Sequence, residues 1–234
     1  MRMNRILYLL IVLSCIIGCH KSDSPTEPTT NTETQVYYTN FSSVPSGWIN
    51  NQKSSDGKCS FIISDSLYSV IDSNHAYWYS SFIPYGYGSY SGQIDGPYAI
   101  QADMTTIISG TSDGACGLLF DRQDNNNLYY FLLDPFGSDY EIRRLQAGNY
   151  AANPVSWTFS NKIRPSGQLN TVKLIQHAQT LDVVINGSVV GSYSIGLPTG
   201  KLLTGVLSIS FDNTTNPIAV TSLFTNVYLF SEGQ

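Results

Sequence analysis

Charge is scarce in this chain, and each kind of scarcity excludes something. Asp, Glu, Lys and Arg make up 12% of the 234 residues, and 12 basic side chains face 17 acidic ones for a net charge of −5. The Lys and Arg residues do not cluster, so the electrostatic footprint of a nucleic-acid binder is missing. Histidine occurs three times, as His20, His75 and His177. No His-Glu-x-x-His or Cys-x-x-Cys spacing occurs, which argues against a zinc centre. Glutamate is nearly absent from the body of the chain: Glu141 is the single Glu between residues 36 and 231. Hydrolysis of a glycosidic bond normally needs two converging carboxyl groups, and no Glu-x-Asp-x-x-Glu strand supplies them. No segment shows helical periodicity over a useful length, and no internal repeat is visible.

The stretch that organises what is present is Gly114–Leu145. Ala115–Arg122, Leu128–Asp134 and Tyr140–Leu145 read as three consecutive antiparallel strands. Two polar turns separate them, at Gln123–Asn127 and Pro135–Ser138. Alternation puts Cys116, Leu118, Phe120 and Arg122 on one face, and Ala115, Gly117, Leu119 and Asp121 on the other. On the next strand Leu128, Tyr130, Leu132 and Asp134 oppose Tyr129, Phe131 and Leu133. Neither face is plainly polar, so the strands belong in the middle of a sheet. One face is expected in a core, the other in a concave, partly covered surface where a site would lie. Further strand-length runs follow at short spacing, with hairpins at Ala178-Gln179 and at Asn186-Gly187, a favoured type I′ pair. The fold class this predicts is all-β, a two-sheet antiparallel sandwich of the jelly-roll kind.

The run G-A-C-G-L-L-F-D-R-Q-D-N-N-N-L-Y-Y-F-L-L-D-P-F-G resembles the bacterial laminin-G-like, concanavalin A-type jelly rolls, including the domains grouped as 3-keto-disaccharide hydrolase-like. Leu181–Gly187 and Ser210-Phe211-Asp212-Asn213 continue the likeness, which covers about Tyr37 to Phe230. It implies the fold and leaves activity open, because lectins, adhesion modules and hydrolases share it. By the same resemblance a structural calcium would sit at Asp212-Asn213. Calcium wants six to eight oxygens and two or three are in view, so a turn-capping Asp212 is the competing reading. No other cofactor is expected.

The chain opens with Arg2, Arg5 and the apolar run Ile6–Ile17, too short for the ~20 residues of a membrane span. Ile16-Ile17-Gly18-Cys19 resembles a bacterial lipobox. That implies a lipoprotein signal peptide over residues 1–18, with Cys19 as the lipidated first residue of a protein held at the cell envelope, at the outer membrane or cell surface. Residues 19–35, rich in Thr, Ser, Pro and Glu, read as a flexible tether, and 36–231 as the sandwich. Losing Arg2 and Arg5 leaves a mature charge of about −7. Of the cysteines remaining, Cys59 and Cys116 are either a disulfide closing a loop of about 57 residues, worth ~4 kcal/mol, or two buried thiols acting as small hydrophobes.

Aromatic side chains are the richest feature: Tyr alone occurs 16 times. Tyr85, Tyr87 and Tyr90 sit in a Gly-rich loop, where rings with a polar tip suit stacking on sugars. The expected function is a non-catalytic carbohydrate-binding or adhesion module. Tyr129, Arg122, Glu141, Arg143 and Trp157 would surround the concave sheet, with Tyr85, Tyr87 and Tyr90 at its rim. One alternative is a glycoside hydrolase or lyase using Glu141 with Asp134 or Asp121. Against it, Arg143 shares the face of Glu141 and would lower its pKa, the wrong direction for a general acid. A second alternative is a structural protein-interaction module, favoured if the concave face is filled by side chains.

Overall fold

The computed structural model describes residues 33–45, 48–54, 57–72, 78–82, 93–108, 114–211 and 220–232. Cys19, Tyr85, Tyr87, Tyr90 and Asp212 lie outside them. Seventeen strands and no α-helix occur among the described residues. They are β1 (Glu33–Thr39), β2 (Gln52–Lys53), β3 (Cys59–Ser64), β4 (Leu67–Asp72), β5 (Trp78–Phe82) and β6 (Gln93–Ile94). Next come β7 (Tyr98–Ile108), β8 (Gly114–Asp124), β9 (Asn127–Asp134), β10 (Asp139–Gln146), β11 (Asn149–Tyr150) and β12 (Val155–Phe159). The last five are β13 (Asn170–Gln176), β14 (Leu181–Ile185), β15 (Ser188–Tyr193), β16 (Leu202–Ser210) and β17 (Val220–Glu232).

Every strand pair is antiparallel. One sheet has nine strands in the order β15-β14-β13-β7-β17-β4-β3-β2, with β1 beside β17. Residues Val220–Phe224 of β17 pair with β4 and Val227–Glu232 with β1, so two short strands share one edge of a long one. The other sheet has eight strands in the order β11-β10-β9-β8-β16-β5, with β12 on β10 and β6 on β16. β1 begins at Glu33, three residues before the expected start of the sandwich, because Glu33–Gln35 pair with Glu232–Phe230.

The central meander has one face in the core as expected, while the face expected to be concave and partly covered is packed as well. Leu118, Phe120, Phe131, Leu133, Tyr140 and Ile142 point between the sheets and meet Tyr98, Ile100, Val172, Leu174, Phe224 and Leu229 of the nine-stranded sheet. Ala115, Leu119, Tyr130, Leu132, Leu207 and Ile209 make a second apolar cluster on the outer face of the eight-stranded sheet. Each fully buried Leu there is worth about 2 kcal/mol. The close fit starts at Gly117: a Cβ at that position would lie 1.9 Å from the Phe131 carbonyl oxygen. The Asn186-Gly187 hairpin has both φ angles positive, 49° and 79°, as a type I′ turn requires.

No disulfide joins the cysteines: Cys59 on β3 and Cys116 on β8 are both buried in the core between the sheets and unbonded to each other. Burial pushes the Cys116 thiol up to about 12. Spacing in the sequence carries no information about their separation.

Candidate functional site

Glu141 and Arg143 alternate with the inward-facing Tyr140 and Ile142, so both emerge on the outer face of the eight-stranded sheet. They form an ion pair there. Glu141 is 1% exposed, and its second oxygen accepts the Asn153 side-chain amide at 3.2 Å. The Arg143 guanidinium stands 5.3 Å over the Phe211 ring, and Phe211 meets Trp157 edge-to-face at 5.7 Å. The Tyr130 hydroxyl lies beside Tyr150 and Arg143. Trp157 reaches this face because β12 carries one extra residue opposite β10, between Tyr140↔Thr158 and Ile142↔Val155. The bulge lets Val155 turn into the core while Trp157 turns out. Tyr150, Trp157 and Phe159 then line this edge at 62%, 40% and 70% exposure.

The floor between these rims is closed. Leu119, Leu132 and Leu207 are fully buried and Tyr130 nearly so. The polar groups and open aromatic rings therefore occupy the β10–β12 edge, not the middle of the sheet.

One electrostatic expectation is reversed. The Glu141 carboxyl is held above its ordinary value, because burial raises it more than Arg143 lowers it. Desolvation is a property of the packed sheet, and it outweighs the local charge. The ion pair itself forms where alternation placed it. The proposed acidic partners do not converge on Glu141. Asp134 is one diagonal step away in the ladder, since Glu141 pairs with Leu132 and Asp139 with Asp134. Its Oδ1 instead accepts the Phe136 N–H at 2.8 Å, and its Oδ2 faces Gly137 in the β9–β10 turn.

Asp121, Tyr129 and Arg122 leave the outer face altogether. Tyr129 stacks on the core residue Phe120 with ring centroids 5.5 Å apart, so it faces the inter-sheet side. The register of β8 against β9 shifts between Phe120 and Asp124, and Asp121 adopts φ 49°. That bulge turns the Asp121 carboxyl inward, where Oδ1 accepts the Tyr98 hydroxyl at 2.8 Å. Burial raises its pKa to about 7. Arg122 folds back on its own hairpin and donates to Asn125. Between Leu119 and Asp124, β8 thus carries two extra residues against β9 and one against β16, which undoes the strict alternation read beyond Phe120.

Several residues near these sites carried little sequence signal. Tyr150, Asn153 and Phe159 join the outer edge through β11, β12 and the connection between them, which are too short or irregular to show a period. Arg144 faces inward beneath the hairpin, with its guanidinium 5.2 Å over Tyr129. Among the described residues no group of three metal-binding side chains occurs.

No family model matches the chain, and no curated protein matches it. Solved structures do. One is the kappa-carrageenase from Pseudoalteromonas carrageenovora in complex with an oligotetrasaccharide of kappa-carrageenan. It aligns at 8% identity over 90% of this chain and 99% of that one, with a TM-score of 0.57. The Bacillus licheniformis beta-glucanase aligns at 9% identity over 87% of this chain and 100% of that one, TM-score 0.56. The carbohydrate recognition domain of Emp47p aligns at 12% identity over 81% and 90%, TM-score 0.51. At these identities the likeness speaks for architecture: the chain folds as a concanavalin A-like jelly-roll sandwich.

Proposed function

We propose that this chain is a carbohydrate-binding module on a lipid-anchored envelope protein, and that it holds glycan without cleaving it. The observation that carries the reading is the β10–β12 edge, where exposed Tyr150, Trp157 and Phe159 flank the Arg143–Glu141 pair and Asn153. Aromatic faces supply stacking for a sugar ring, and the adjoining guanidinium and amide supply hydrogen bonds. Glu141 spends its carboxylate on Arg143 and Asn153, and among the described residues neither Asp134 nor Asp121 is turned toward it. The solved neighbours include enzymes acting on glycans and a carbohydrate recognition domain, which makes a glycan the first ligand class to try. The packed floor of the outer face is also what a protein-interaction module would have, and the edge aromatics separate the two.

Pull-down on a panel of polysaccharides tests this. Retention on at least one glycan is expected, with a loss of about tenfold or more in Trp157→Ala, since a stacked ring contributes more than about 1.4 kcal/mol. Absence of binding to every glycan, or full binding by the variant, overturns the reading. The anchor is tested by labelling cells with a fatty-acid analogue: label is expected on the intact protein and absent from Cys19→Ser.

A second reading, glycoside hydrolysis, is favoured by one observation. Burial raises the Glu141 pKa, the direction a general acid needs. Oligosaccharide cleavage that disappears in Glu141→Gln would establish it in place of simple binding.

A further inference from the structure

Beside the β8–β9 turn and the C-terminal end of β10 is a pocket of about 180 Å³, and none of the three edge aromatics lines it. Asp121, Gln123, Asn127, Tyr129 and Arg144 line it from the meander, and Gly196 and Pro198 close it from the segment after β15. With ~30 Å³ per water in the liquid, it has room for one small polar ligand. The Gln123 side chain donates to the Thr199 carbonyl at 3.4 Å and ties the two walls together.

Two groups here lack partners. Asp121 is 2% exposed; its Oδ1 accepts the Tyr98 hydroxyl, but its Oδ2 has no hydrogen-bond partner among the described residues. A buried carboxyl oxygen in that state is destabilising until something donates to it. Its bulged backbone, φ 49°, is a local cost that orients the side chain. Arg144 is the second: no carboxylate lies within ion-pair distance of it among the described residues. Its guanidinium rests on one face of Tyr129 while Phe120 covers the other. Neither face of Tyr129 is open, so a neutral sugar cannot stack there.

A ligand that completes the pocket must bring an anionic oxygen pair for the guanidinium and a hydroxyl donor for the orphaned carboxyl oxygen. A simple carboxylate such as acetate offers the first without the second, and neutral sugars the reverse. We propose that this pocket binds a small hydroxylated carboxylate, of which a hexuronate is the type, with its carboxylate on Arg144 and a hydroxyl donating to Asp121. Planar guanidinium–carboxylate pairing supplies both strength and orientation. The Gln123 and Asn127 amides stand where further ring hydroxyls would reach. This site is separate from the aromatic edge and does not depend on it.

The test is a titration of the purified full chain with D-galacturonate, and separately with D-galactose and with acetate, followed by backbone amide shifts. Galacturonate is expected to shift the amides of Gln123, Asn127, Arg144 and Gly196 saturably. Its affinity should exceed that of galactose and of acetate by about tenfold, the worth of one charge-assisted contact. Arg144→Gln should abolish the response with its spectrum still dispersed, and Asp121→Asn should weaken it severalfold. Equal response to galactose overturns the carboxylate contact, and equal response to acetate overturns the hydroxyl contact. Shifts that survive Arg144→Gln, or that fall on Asn153 and Trp157 instead, overturn the site and leave the edge reading to its own test.

Discussion

The eight-stranded sheet carries two sets of acid and arginine, one on each face, and they are put together differently. On the outer face Glu141 and Arg143 sit two residues apart on one strand and neutralise each other. On the inner face Asp121 and Arg144 line one pocket, yet no ion pair joins them among the described residues. The same residue types thus yield a closed unit at one rim and an open one at the other. A closed pair positions its neighbours, here Asn153 and the Phe211 ring. An open pair leaves hydrogen-bonding capacity for something else to fill.

The widest difference between the two should appear in the pH dependence of stability. Folded Asp121 keeps its proton up to about pH 7, against an ordinary value of 3.8 for the unfolded chain. Between those limits the folded state binds more protons than the unfolded state, so this residue lowers stability as pH rises. At 1.36 kcal/mol per unit the full swing is on the order of 4 kcal/mol. Urea unfolding of wild type and Asp121→Asn at pH 4, 5.5 and 7 checks it. The variant is expected to gain on wild type steadily across that range. A constant difference would mean that Asp121 is solvated or paired, and the contrast between the two faces would disappear.

The closed set is broken by Arg143→Gln, which leaves a buried carboxylate without its cation. Removing one partner of such a pair costs about 3 kcal/mol. Thermal or urea unfolding at pH 7 should register that loss, and adding Glu141→Gln should recover most of it. A loss under about 1 kcal/mol, or no recovery in the double variant, would show that solvent already screens the pair.

How far these sites could be read from the sequence follows from where the strands stay regular. Across Tyr140–Arg143 alternation held, and it placed Glu141 and Arg143 together outside and Tyr140 and Ile142 inside. It failed at Asp121, where β8 carries one extra residue against β16 and two against β9, and opposite Ile142, where β12 carries one extra residue. No composition rule marks either bulge. The pairing of Glu141 was visible as an i, i+2 neighbour, whereas the sign of its pKa shift came from burial by distant strands. Besides Arg144 of the meander, the Asp121 pocket needed Tyr98 and the Gly196–Pro198 segment. Both come from outside the meander, so the meander alone did not announce it. The missing bond between Cys59 and Cys116 is the same case, since their separation is settled by long-range pairing.

The smallest expected effect is the most discriminating. Arg144 touches Tyr129 through its guanidinium and has no carboxylate partner, so Arg144→Gln should cost only the ring contact, about 0.5–1 kcal/mol. That is several times less than the change expected at Arg143, one residue away on the same strand. The two positions differ chiefly in whether a buried anion is left behind. Parallel urea melts of Arg143→Gln and Arg144→Gln at pH 7 measure the gap directly. If Arg144→Gln instead loses about 3 kcal/mol, Arg144 must be compensating the Asp121 carboxylate in the free protein. The pocket would then be a second closed pair with no charge to spare for a ligand. If the loss is small while galacturonate binding is abolished, stability and recognition are separated at one residue, as expected of an arginine held in place by packing and left free to bind.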